Sequence, residues 1–298
     1  MSTTRMSADE MGYWLHDAAE AGNAAEVQRL LGAGAPADWD GNVSAARADW
    51  DGNVSAARAD WDGNQGTTAL HIAAQWGHAA VVRALLDHGA DTEVEDSEGA
   101  TALLMAAAQG NMDVIRMLLA HGANVEATDS DRETALTLAA GVGRPEAVAL
   151  LLGHGAKVDA TDIVNQTALL LAAGNGHTDT IRLLLGNGAN IEAKEQDGRT
   201  ALMLAAMCGS LDCVSILLES GASLEARDNG RLTALSHAAT MGNAGVMRLL
   251  LEHGADVETA TLGCDSEAIL CEECMSMMRD AERIQRWRRR RSLAVWAH

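Results

Sequence analysis

The chain has 298 residues, of which 48% are hydrophobic but only 3% aromatic, with no Phe at all. A single thick core leans on aromatic side chains for buried area, whereas stacked helices close-pack on Ala and Leu alone, so this composition favours thin layers. A formal charge of -20 argues against DNA, RNA or anionic lipid as partners of the body, because those affinities come largely from neutralising phosphate with Lys and Arg. Residues 1–12 read as a flexible N-terminus without the apolar core of a signal peptide. No stretch approaches the roughly 18 apolar residues that span a bilayer. Five Cys, an odd number without small-scaffold spacing, fit a reducing compartment. A soluble monomer of the cytoplasm is expected, with the nucleus as the other compartment.

A first unit is marked by Leu15, the pair Ala18-Ala19, Gly22, the pair Leu30-Leu31 and Gly34. Its pattern returns 55 residues later and then every 33 residues. Thr-Ala-Leu begins at Thr68, Thr101, Thr134, Thr167, Thr200 and Thr233, with an Ala pair five residues on in each case. Leu pairs begin at Leu85, Leu118, Leu151, Leu184, Leu217 and Leu250, and a Gly column follows each apolar block. Such a period is the signature of a repeat architecture. Within one unit Thr caps a short helix, Ala-Ala lets a neighbour approach closely, and Gly ends the helix at positive φ. A second helix then packs its Leu pair inward, and a polar stretch with turn chemistry closes the unit. No unit buries both faces alone, so stability must come from stacking.

The anomalous first interval has a visible origin. Residues 37–47 recur word for word at 48–58, and their first six recur at 59–64, so the excess is 22 residues of duplication within 37–64. The insertion falls where a hairpin is expected, and lengthening such a loop about threefold costs only on the order of 1 kcal/mol. Asp-Trp-Asp-Gly-Asn has the Gly in the wrong place for an EF-hand and no closing Glu, so duplication is preferred to a calcium loop. Trp39, Trp50 and Trp61 then read as interchangeable tips.

Gly66-Thr67-Thr68-Ala69-Leu70-His71-Ile72-Ala73-Ala74 and His88-Gly89-Ala90-Asp91 resemble the ankyrin repeat signature, over residues 13–262 and seven repeats. The usual Pro after Thr is Ala in all six of the later units, and the following His survives only at His71. The resemblance implies an all-α ankyrin-repeat solenoid of helix-turn-helix units joined by hairpin fingers. It also implies a non-catalytic protein-protein interaction module, a scaffold or adaptor gripping its partner by finger tips and a concave face. The positions so implied on the first helices include Trp76, Val142, Met207 and Met241. On the tips they are Ser97, Glu98, Ser130, Asp131, Ile163, Val164, Gln196 and Asp197. Exposed aromatic and Met side chains are the kind that anchor interfaces, and Ile163 and Val164 are apolar where a turn should be polar.

A further column of acids stands three residues after each Gly-Ala: Glu93, Glu126, Asp159, Glu192, Glu225 and Glu258, with Asp38 before the insertion. The ankyrin family more often has Asn there. A second column comprises Asp96, Asp129, Asp162, Glu195 and Asp228. Together they read as acidic rails, either a solvated face or a steering surface for a partner with a basic or amphipathic segment. His88, His121, His154 and His253 precede the second Gly and are expected to bond neighbouring loops from a helix end. No nucleophile elbow, phosphate loop or metal-protease motif occurs, so no catalytic residue, cofactor or metal is assigned.

Residues 263–298 are expected to form a degenerate capping helix and an Arg-rich tail. Leu270, Cys274, Met277, Ala281 and Ile284 form a stripe at spacings of 3 and 4. Cys264, Cys271 and Cys274 with His298 raise an alternative function, a metal-binding or redox-active C-terminal module, although the second ligand pair usual for zinc is missing. From Arg279 onward the local charge is +5. That tail reads as a solvated helix end, an import or nucleic-acid tag, a calmodulin-type target helix, or an arm for the acidic rails.

Overall fold

Each repeat contributes two short antiparallel helices, and the computed structural model describes them over residues 7–40, 66–258, 276 and 279–283. They fall into two units, Met1–Ala139 with Glu146–Lys157, and Ala140–Pro145 with Val158–His298. In the first unit α1 (Ala8–Glu20), α3 (Ala69–Trp76) and α5 (Ala102–Gln109) stack on one another as a layer of first helices. A layer of second helices, α2 (Ala24–Gly32), α4 (Ala79–Asp87) and α6 (Met112–Ala120), packs behind them. Next in the chain come α7 (Ala135–Gly141) and α8 (Pro145–Gly153). The second unit repeats the plan, with first helices α9 (Ala168–Gly174), α11 (Ala201–Cys208) and α13 (Ala234–Thr240). Its second helices are α10 (Thr178–Gly186), α12 (Leu211–Glu219) and α14 (Ala244–Glu252).

The paired alanines are what permit this spacing. Ala73-Ala74, Ala106-Ala107, Ala172-Ala173 and Ala205-Ala206 have no exposed surface, so first helices meet with only a methyl group between backbones. The Leu pairs divide their labour. Leu85, Leu118, Leu151, Leu184, Leu217 and Leu250 are completely buried. Their successors Leu152, Leu185, Leu218 and Leu251 are half-exposed. Leu31, Leu86 and Leu119 are buried too, so inward packing of both leucines holds in the first three repeats and is corrected to one in the last four, where the second leucine, about 100° further round the helix, reaches the edge of the buried face. Gly77 ends α3 at φ 72°, where its amide reaches back to the Ala73 and Ala74 carbonyls.

At the N-terminus the expectation of a flexible segment through residue 12 is corrected. Ser7 caps α1 in a reciprocal pair with Glu10, the Ser7 amide donating to Oε2 at 2.7 Å and the Glu10 amide to Oγ at 3.1 Å. Trp39 is likewise not a tip. It is 8% exposed, its ring lies edge-on to Tyr13 at 4.5 Å, and its indole N–H donates to Asp9 at 3.3 Å. Gly12 makes room for it, since a Cβ there would run into the indole. Trp50, Trp61 and the rest of the duplication after Asp40 lie outside the described residues, as do Cys264, Cys271, Cys274 and His298. Of the expected capping helix, Ser276 and residues 279–283 are described, and they are helical.

Candidate functional site

The fingers between repeats are built by the buried acids. Each of the five fully described fingers turns through a residue in the left-handed region, whose amide bonds three residues back: Gly99 to Asp96, Arg132 to Asp129, Asn165 to Asp162, Gly198 to Glu195 and Arg231 to Asp228. The acid at the base also gathers amides with its side chain. Asp96 Oδ1 accepts from Glu98 and Ala100, each at 2.9 Å, and Asp162 Oδ1 accepts from Val164 at 2.9 Å and Gln166 at 2.7 Å. Asp129 does the same with Asp131 and Glu133, and Glu195 with Asp197 and Arg199. Asp96, Asp162 and Glu195 are buried. This column is thus a set of internal turn staples and not an outward-facing rail.

The other acidic column staples one repeat to the next. Asp38 accepts the Asp91 amide at 2.9 Å, Glu93 that of Asn124 at 3.0 Å, and Glu126 that of Lys157 at 2.8 Å. In the second unit Asp159 accepts from Asn190 at 2.9 Å, Glu192 from Ser223 at 2.8 Å, and Glu225 from Asp256 at 2.8 Å. A carboxylate is a stronger acceptor for an amide than a neutral oxygen, and Glu126 adds an ion pair from its other oxygen to Lys157 Nζ at 3.2 Å. Glu93, Glu126, Asp159, Glu192 and Glu225 thus have a structural role that the charge pattern did not reveal. Glu258 is exposed, and its amide donates to Asp256 at 3.0 Å.

Six of the histidines serve three structural ends. In His88, His121, His154 and His253, Nδ1 lies 2.8 to 2.9 Å from the carbonyl four residues earlier, so these rings cap their own helices and do not bond neighbouring loops. His71 accepts the Thr68 amide at Nδ1, 3.1 Å away, and Nε2 donates to the Ala100 carbonyl at 3.0 Å, joining a helix to the next finger. Burial lowers its pKa, which keeps the ring neutral at neutral pH. His237 pairs with Asp228 at 2.8 Å. Among the described residues no three His, Cys, Asp or Glu side chains are grouped to hold a metal ion. Nor is any described helix long and apolar enough to cross a membrane.

The binding positions expected on the first helices and finger tips are accessible. Trp76 is 61% exposed, Ile163 54%, Met241 51% and Val142 43%, while Val164 and Met207 are half-buried. Ser97, Glu98, Ser130, Asp131, Gln196 and Asp197 are all exposed. The tips form a ladder: the Ser130 amide donates to the Glu98 carbonyl at 2.8 Å, Gln196 to Val164 at 2.9 Å, and Asn229 to Asp197 at 2.9 Å. Of the expected set, Trp76 and Glu98 come together in the first unit, on the wall of a cavity of about 520 Å³. Its floor is Ile72, Gln75, Met105, Ala108 and Leu138, and its finger side is Asp96, Ala100 and Asp129. Ile72, Met105 and Leu138 were not picked out from sequence, although each stands four residues after a capping Thr, a position that could have flagged them. Trp14 and Leu211, 47% and 48% exposed, are further apolar surface residues that the sequence did not single out.

The family profile described as ankyrin repeats (3 copies) matches residues 13–129, 90–162, 122–195 and 169–261. The chain belongs to the ankyrin repeat family. Among solved structures, the crystal structure of the human ASB11 ankyrin repeat domain is similar at 25% identity, with a TM-score of 0.67, covering 81% of this chain and 98% of that one. No curated protein matches. Ankyrin repeats are protein-protein interaction modules in general and are typically non-catalytic.

Proposed function

We propose that this ankyrin protein is a monomeric scaffold or adaptor that binds a partner protein through its finger tips and the exposed face of its first helices, without catalysing a reaction. The observation that carries this reading is the cavity beside Trp76, where a large exposed ring adjoins half-buried Ile72, Met105 and Leu138 at the foot of two fingers. Exposed aromatic and Met side chains set in a groove are the residues that dominate binding energies, and burying them on a partner releases water from apolar surface. Ile163 and Val164 supply a second apolar point, on a finger of the second unit. The cytoplasm, with the nucleus as a second site, is the compartment we assign.

The test is photocrosslinking in cells, with a photoreactive residue installed in turn at Gln75, Ser130, Gln196 and, as an off-face control, Arg182 on α10. Discrete protein adducts at the first three positions, absent at Arg182, are expected. Adducts confined to Arg182, or none at the finger and first-helix positions, would reject this face as the recognition surface.

A further inference from the structure

We infer that the cavity beside Trp76 takes a lysine or arginine side chain of an extended partner segment, together with an apolar residue next to it. The inference rests on the protein-binding reading above and narrows the partner's chemistry. Four acidic residues, Glu20, Asp96, Glu98 and Asp129, are among the described residues that line the cavity, and no described Lys, Arg or His is. Asp96 and Asp129 each commit an oxygen to finger amides, while Glu20 and Glu98 are exposed. His71, which joins the first finger's base, is buried and neutral at neutral pH, so it does not offset those charges. Carboxylates gathered around a recess with an apolar floor concentrate negative potential there, because field lines spread less through the low-dielectric wall than through water.

The apolar part sets the rest of the ligand. A volume of about 520 Å³ is in the range of small-ligand pockets and holds two or three side chains rather than a folded surface. Trp76 offers an exposed ring, a surface that attracts ammonium and guanidinium groups through its quadrupole and also packs against aliphatic stems. Ile72, Met105 and Leu138 give an aliphatic neighbour somewhere to go. An acidic segment would bring like charges to Glu98 and Asp129 and be disfavoured. An all-apolar one would desolvate the exposed Glu20 and Glu98 carboxylates without bringing a cation to them. A cation with an apolar neighbour satisfies both halves of the wall.

The experiment is selection of random twelve-residue peptides on the full chain, followed by fluorescence anisotropy of the winners. Enrichment of Lys or Arg beside Leu, Ile, Val or Met is expected. Trp76→Ala should weaken the selected peptides at least tenfold and Glu98→Gln about threefold, with affinity falling as salt rises. Arg182→Ala on α10 should leave them unchanged, and circular dichroism should show all three variants folded. Peptides that depend on Trp76 but carry no basic residue would overturn the charge assignment while leaving the groove as a binding site. Peptides indifferent to Trp76→Ala, or no enrichment at all, would overturn the inference itself, and the crosslinking experiment would then decide the broader reading independently.

Discussion

Glu192 distinguishes a structural carboxylate from a merely electrostatic one. Its Oε1 accepts the Ser223 amide at 2.8 Å across 31 residues of chain, tying the loop after α10 to the loop after α12. A hydrogen bond to a charged acceptor is worth about 1.5 to 3 kcal/mol, but both residues here are exposed, so water recovers part of the loss. Glu192→Ala should therefore destabilise the loop by about 1 kcal/mol. Glu192→Gln keeps a carbonyl oxygen in place and should lose about half as much. Amide hydrogen exchange reads this locally: about 1 kcal/mol is roughly a fivefold faster exchange of the Ser223 amide in the Ala variant, and about twofold in the Gln variant. If Ala and Gln accelerate Ser223 equally, the carboxylate acts through its charge alone and the staple is refuted. No change in either variant would refute it as well.

Two further outcomes follow from the backbone and from burial. Arg231 sits at φ 63° where the equivalent Gly198 sits at φ 80°. Left-handed backbone costs a non-Gly residue about 1 to 2 kcal/mol, and glycine's extra freedom when unfolded returns part of this, so Arg231→Gly should raise stability by about 0.5 kcal/mol. A lower urea midpoint for that variant would contradict the strain argument. His16 is buried, with Nε2 donating to the Trp39 carbonyl at 3.1 Å, and desolvation lowers its pKa from 6.5 to about 4. Unfolded His16 takes up a proton below pH 6.5 that the folded ring refuses until about pH 4, so stability drains away as pH falls through that window, by on the order of 3 kcal/mol. His16→Gln should lose less stability than the parent between pH 7 and pH 4.5 in urea unfolding, and an equal acid loss in both would show that His16 is not the group responsible.

How much of this was legible in the chain depends on what each residue's partner is. The period of 33 residues determined the helix pairs, the buried alanines and the glycine caps, because those are local consequences of a repeated string. Exposure of Trp76, Ile163 and Met241 was legible for the same reason, since their positions in the unit fix which way they face. The acidic columns were not. Sequence shows a charge but not the amide opposite it, and the partners of Glu126 and Glu192 lie 31 residues away. An Asp at the base of a finger looks identical on paper to one on a solvated edge, and only the turn that folds Glu98 and Ala100 back over Asp96 decides between them. Trp39 makes the same point for the core. Three identical copies offered a Trp, and tertiary packing against Gly12 and Tyr13 buries the first of them. The cavity beside Trp76 likewise required three dimensions, because it combines residues of four first helices, α1, α3, α5 and α7, with acids from two fingers, brought together from separate repeats.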